Sequence, residues 1–437
     1  NNQILLSAPQ MHFKQVNGNV SFENDLVSTK DLRVRWRGLP IDVDVDGKAT
    51  EESYQTTIGL NAKWSKEDWQ PQVQESLLPY FDDSLSWQGK LSLNNGSDGS
   101  FNYLLDIDSN LIGTTLNLPS PFNKTADKER NLTVSVKGDV ENSVISAVVG
   151  SELNFYGELT HNTASFTNAH LVLGHEHMFI PNAGFFITAK LSQADVFQWH
   201  DFVSDVLVAV DSAPSNDNTE PLLDIPKKIT GKVDKVDVGA ISLNDTSFDL
   251  AHQSRIWQLE LNAKETRADV TFYPDWHGQG IDIKADYIKL PEQVDEESEP
   301  DVVTLAMIEE QLAANKAFDQ QLFENLPPIT LSCKQCQVGK LNFGEVDAQL
   351  TRSASNEIQL SRFLARKGKS EINLTGNWHF DDERSYSSLA GKIGIDKVER
   401  ELENLGMASI IKDSGIAIVL DVNWLGGPHQ FSVAALN

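Results

Sequence analysis

Apolar and polar residues alternate with a period of two along most of this chain. In IDVDVDG, Ile41, Val43 and Val45 alternate with Asp42, Asp44 and Asp46. LTVSVKG repeats the rhythm with Leu132, Val134 and Val136, KVDVGAISL with Val236 and Val238, and GIDIKADYIKL with Ile281 and Ile283. GIAIVLDVNW, from Gly415, is more apolar but keeps the beat. Such alternation predicts strands with one dry and one wet face. It favours antiparallel pairing, because parallel strands are commonly buried on both sides. The fold class expected is mainly β: an elongated, twisted antiparallel sheet, with a few short flanking helices.

The same spacing decides how the acids are read. Asp42, Asp44, Asp46 and Gly47 match the opening of a calcium loop, but the twelfth position, where that loop needs a bidentate glutamate, is Ser53. Val43 and Val45 are strand formers, so the aspartates read as a solvated strand face. A glycine followed by an alternating strand recurs at Gly18, Gly89, Gly157 and Gly231, and again at Gly339 and Gly391. This suggests similar hairpin sets added along one sheet.

Few stretches have helical spacing. SQADVFQWHDFVSDVLVAV, from Ser192, places Val196, Trp199, Val203, Val206 and Val210 on one face, with Trp199 and Phe202 as core anchors. Pro71 is expected to open a helix running to Leu78, TLAMIEEQL to form another, and Asp396 to start a third ending at Gly406. The stretches 211–221 and 291–301, rich in acids and breakers, read as exposed loops.

Acids outnumber bases 63 to 36, for a formal charge of −27. That balance disfavours nucleic acid as a partner. No 18-residue apolar run is present, so no membrane-spanning helix is expected. The start at Asn1 and the alternating FSVAALN at the end suggest a piece of a longer protein, with any targeting or anchoring segment outside it.

No catalytic motif assembles: there is no G-x-S-x-G, H-E-x-x-H or phosphate-cradling glycine loop. The chain is therefore not expected to be an enzyme or to need a cofactor. His175 and His177 are expected to share a strand face, without the further ligands of a metal site. Cys333 and Cys336 form C-x-x-C with no second pair for zinc. A structural disulfide in an oxidising compartment is favoured over free thiols, and it would fix a bulge.

Several segments together resemble the AsmA-like family of Gram-negative envelope proteins: WRGLPIDVDVDGKA from Trp36, LNLPSPFNK from Leu116, FIPNAGFFITAKL from Phe179 and LPPITLSCKQCQVG from Leu326. Residues 327–437, with GIDKVERELENLGM and the WLGGP at Trp424, resemble the family's ending, apart from one extra glycine. The resemblance spans the whole chain. It implies a sheet curled into an open groove, or half-pipe, running as one body through 1–437. It also implies phospholipid as the cargo between inner and outer membranes, a periplasmic setting, and an inner-membrane anchor in parts outside this sequence. Contacts to the membranes, and to other envelope proteins, would lie in those parts too. On this view the groove candidates are Ile41, Val43, Val45, Leu132, Val134, Val136, Val236, Val238, Ile281 and Ile283. The rival reading is a pair of closed β-sandwiches that bind glycan or protein, or an envelope scaffold without lipid.

Overall fold

The computed structural model describes residues 3–7, 10–24, 26–211, 222–239, 241–291, 316, 319–320, 322–324, 326–380, 385–404, 410 and 412–430. The chain divides into two compact units, Asn1–Ser242 and Leu243–Asn437. Both are mainly β, and in neither does the sheet close into a barrel.

In the first unit each strand pairs with the next along the chain. The exceptions are the short Phe81–Asp83 and Thr114–Leu116, which pair with each other. Pairing is antiparallel from Gln3–Ser7 to Ser165–Gly174. The next two pairings, Ser165–Gly174 with Gly184–Asp195 and Gly184–Asp195 with Lys228–Val238, are parallel. The second unit is antiparallel throughout its described pairings except for Ile281–Leu290 with Ile329–Val338. The sheet is therefore mixed rather than purely antiparallel. Alternation reports which face is dry, not which way the neighbour runs. The direction is set by the connection, and these three connections return along the strands.

The helices differ most from expectation. The Pro71 segment starts earlier, as Lys66–Trp69, and continues as two 3-10 turns, Gln70–Gln72 and Glu75–Tyr80. Ser65 caps it, with the Asp68 carboxylate accepting from the Ser65 backbone N–H at 3.0 Å. Ser192 is still strand; the helix runs Val196–Asp211. Its apolar face is also rotated. Val196 and Val203 are exposed, while Ala209 is buried. Trp199 and Phe202 do anchor it: Trp199 meets Phe122 at 5.9 Å and Phe202 meets Tyr80 at 4.9 Å, both edge-on. Tyr80 donates its hydroxyl to Asp205 Oδ2 at 2.7 Å. Burial first, then that bond, push the phenol up to about 12. The LNLPSPFNK turn supplies Phe122, and the buried Lys124 donates to the carbonyls of Thr114 and Thr125 at 2.6 and 2.9 Å.

The third expected helix is Val398–Asn404, held by Lys367 Nζ at 2.9 Å from Glu401. TLAMIEEQL, Gly406, FSVAALN and nearly all of both acidic loops lie outside the described residues.

His170, on the strand Ser165–Gly174, is fully buried. Nε2 lies 2.9 Å from Thr188 Oγ1, and Nδ1 lies 2.9 Å from the Phe179 carbonyl and 3.2 Å from its N–H, so either tautomer is satisfied. Phe179 covers the ring at 4.0 Å. His175 and His177 belong to the irregular segment that carries Phe179 there, and do not share a strand face. Desolvation holds the His170 imidazole below its ordinary 6.5. The unfolded chain therefore binds the proton more readily than the folded one. The stability His170 contributes is complete above about pH 6.5 and is lost as pH falls towards the lowered folded value. We expect His170→Gln to flatten the fall in melting temperature between pH 7 and 5; an unchanged slope would contradict this.

Candidate functional site

Residues directly opposed in a sheet point to the same face. Following the register across the first unit gives one uninterrupted row: Leu32, Val43, Leu60, Gly89, Ile107, Val134, Ala147, Phe155, Leu171, Ile187 and Ile229. The next row on that face is Val45, Ile58, Leu91, Leu105, Val136, Ile145, Gly157, Ala169 and Phe185. None of these residues is polar. The opposite face reads Asp44, Gly59, Lys90, Asp106, Ser135 and Ser146 along the matching row. Its pairs, such as Arg33–Asp42 at 3.2 Å, are exposed and add little stability.

The apolar face is concave where the sheet curls from Gln10–Glu23 round to Leu132–Gly138. Val20 and Val27 line the same cavity as Leu132 and Val134, and the cavity measures about 680 Å³. Glycines sit where the floor is crowded. A Cβ on Gly89 would lie 3.2 Å from the Trp87 ring, and one on Gly157 2.6 Å from Phe166. Gly231 and Gly391 occupy places on the same kind of row, opposite Ala189 and Leu374. At Gly89 and Gly157 the recurring glycine thus leaves room for a neighbouring ring. Gly339 instead serves a turn at φ 55°, and Gly18 lies at a register shift.

The two long rims of this curl differ. Along one rim, the Lys66–Tyr80 segment packs Trp69, Val73 and Leu78 against Leu39, Ile41 and Trp64. The Trp64 and Trp69 indoles donate to the carbonyls of Pro40 and Asp83, at 2.7 and 2.9 Å. Along the other rim lie the polar lining residues Thr29, Tyr54, Thr56 and Asn95.

The second unit repeats the pattern. One row runs Leu250, Leu259, Val270, Ile283, Leu331, Ala348, Phe363, Leu374, Gly391 and Leu420. A second, beside it, runs Phe248, Leu261, Ala268, Ala285, Cys333, Val346, Ala365, Ile372, Ile393 and Ile418. Cys333 and Cys336 are joined, with Cα atoms 6.0 Å apart, across a register shift in their strand. Both are buried among Ala285, Ile288 and Val346. The bridged loop is short, so its loss through Cys333→Ala with Cys336→Ala is expected to cost about 2 kcal/mol from chain entropy. Because the sulfurs are buried, mild reductant followed by maleimide should label them only on unfolding. Rapid labelling of the folded chain would show an open bridge.

The ten sequence candidates fall as follows. Val43, Val45, Val134, Val136 and Ile283 are in the rows above. Ile41 pairs with Val34 and Leu132 with Val149 on the same face. Ile281 pairs with Phe272 and Ile329 one row on. In Lys228–Val238, two successive exposed residues, Asp234 and Lys235, shift the phase. Val233 and Val236 are both buried, and Val238 is half-buried. Ile281 and Ile283 belong to the second unit and are not among the residues lining the 680 Å³ cavity. Sequence reading missed Leu60, Trp87, Ile107, Phe155 and Leu171. Thr and Gly interleave in SYQTTIGLNAKW and LNFYGELT, which weakens the alternation there. Among the described residues, no group of three or more His, Cys, Asp or Glu is placed to hold a metal ion. No helix among them is long and apolar enough to cross a membrane.

Fold and site together define a β-groove protein: in each unit one face of the sheet carries uninterrupted non-polar rows, and in the first unit that face is concave. The chain belongs to the YhdP family, whose model, described as YhdP protein, matches residues 1–437. It is also 20% identical, over 447 residues, to the intermembrane phospholipid transporter YhdP of Escherichia coli (strain K12), covering 100% of this chain and 33% of that protein. The chain spans about a third of the curated relative's length. No solved structure matches it significantly.

Proposed function

We propose that this chain is a segment of a lipid conduit in which phospholipid tails lie on the apolar rows and move from strand to strand. The observation that carries this reading is the row from Leu32 to Ile229, which no polar residue interrupts. A 16-carbon chain exposes on the order of 10 kcal/mol of apolar surface to water, at about 0.8 kcal/mol per methylene. A continuous dry track removes most of that cost at every point. Because successive positions are alike, no single one traps the lipid. A closed sandwich would bury the same rows under a second sheet, whereas here Val134, Ile58 and Ile107 remain half-exposed. The ten candidates of the sequence are proposed as tail contacts on this basis. The reading also places the chain in the periplasm, with the inner and outer membranes met by other parts of a longer protein. It assigns no nucleophile or cofactor to the process. Mass spectrometry of the chain purified without detergent tests it: co-purifying phospholipid is expected, and a lipid-free protein that takes up none from vesicles would overturn it.

A further inference from the structure

The geometry points to a fixed lateral orientation for the lipid in the first unit's groove: a zwitterionic glycerophospholipid lies with its head along the rim formed by Tyr54, Thr56 and Asn95. This rests on the conduit reading and adds to it which rim the head follows and which head fits.

Polarity in the cavity is one-sided. Its polar lining side chains, Thr29, Tyr54, Thr56 and Asn95, all lie towards the hairpin-turn rim, and the opposite rim presents Trp64, Leu85 and Trp87. Thr29 accepts from the Val45 N–H at 2.8 Å. Among the described residues, Tyr54, Thr56 and Asn95 make no side-chain hydrogen bond, so their donors are available to phosphodiester and ester oxygens. The row of Thr56 continues through Leu93, Tyr103, Gly138 and Ser143. There the Tyr103 and Ser143 hydroxyls meet, and Ser143 Oγ reaches His161 Nε2 at 2.6 Å. Across the groove the Trp64 indole is already spent on the Pro40 carbonyl, which leaves the Trp87 indole N–H facing the three donors of the hairpin-turn rim.

Charge selects the head. The turns that finish this rim, 50–53, 97–100 and 139–141, carry Glu51, Glu52, Asp98, Asp139 and Glu141 and no lysine or arginine. All five acids are exposed. Neutral donors on the rim suit a phosphate, and the acids beyond suit the ammonium outside it. A head with net negative charge meets the same donors but is repelled by the turns.

The test uses p-benzoylphenylalanine at position 95 or position 85 of the whole chain, loaded from vesicles of phosphatidylethanolamine or phosphatidylglycerol with matched tails. Fragmentation of the captured lipid locates the bond. Head or glycerol adducts are expected at 95 and acyl adducts at 85, with phosphatidylethanolamine captured about fivefold more than phosphatidylglycerol at low salt. Thr56→Val should lower the ratio of head capture at 95 to acyl capture at 85 about fivefold, the loss of one hydrogen bond. Head adducts at 85, equal head capture at both rims, or preference for phosphatidylglycerol would overturn the orientation while leaving the conduit intact. Capture of no lipid at either position, with either vesicle, would overturn the conduit reading itself.

Discussion

Val134→Asp lowers phospholipid binding over the Val134 stretch of the first unit's groove about a hundredfold, while Thr133→Asp leaves it unchanged. The two positions are neighbours on one strand, and only their faces differ: Val134 is opposed to Ile107 and Ala147, Thr133 to Asp108 and Val148. A carboxylate placed against hydrocarbon costs about 3 kcal/mol, which is about two decades in affinity. Val134 is half-buried, so the carboxylate reaches water when no lipid is bound and the fold survives. The rival sandwich reading makes the opposite forecast. There Val134 would be sealed in a core, and the substitution would unfold the protein. Lipid quantified by mass spectrometry, with circular dichroism on the same samples, separates the two.

The second large effect is on stability. Trp378→Ala is expected to destabilise the second unit by about 4 kcal/mol, the usual cost of emptying a buried tryptophan site. Trp378 is 3% exposed and meets Phe323 edge-on at 5.1 Å. Phe323 in turn stacks on Phe380 at 5.5 Å and lies under Arg352 at 4.8 Å. The indole donates to Ser385 Oγ at 3.1 Å, and Ser385 donates to the buried Asp319 at 2.7 Å. Removing the ring therefore empties a cavity and frees a polar chain at once. For a unit of this size the melting temperature should fall about 10 °C. Val419→Ala, at a residue 76% exposed, should move it by less than a degree or two. A drop of similar size in both variants would mean that this cluster is not the anchor.

Much of the site was legible in the sequence because period two maps directly onto face. Ile41, Val43 and Val45, or Leu132, Val134 and Val136, need no register to be placed on one side of a strand. What alternation could not supply is the neighbour. Val43 lies beside Leu60, and Leu60 beside Gly89, only because the hairpins set that register, and a one-residue slip would have reversed it. At Asp234 and Lys235 the exposure pattern changes phase while the register to Gly184–Asp195 holds, which alternation alone does not foretell. The parallel pairings were hidden for the same reason: strand direction is decided by what lies between strands. The helix at Val196 turned a different face inward because Tyr80 and Phe122 lie far away in sequence, and their contacts with Asp205 and Trp199 outweigh its own spacing. The glycines were visible, but as a repeat. Their use, leaving room for Trp87 and Phe166 on a curling floor, needs the third dimension.

In the proposed conduit, acyl chains occupy the face of Val134 and not the face behind it. Val134 and Val148 are both half-buried valines on adjacent strands, on opposite faces. Methyl-detected nuclear Overhauser spectra of the chain loaded with phospholipid compare them within one sample. Cross-peaks are expected from acyl methylenes to the Val134 methyls and none to those of Val148. Cross-peaks to Val148, or to neither residue with lipid bound, would contradict this placement.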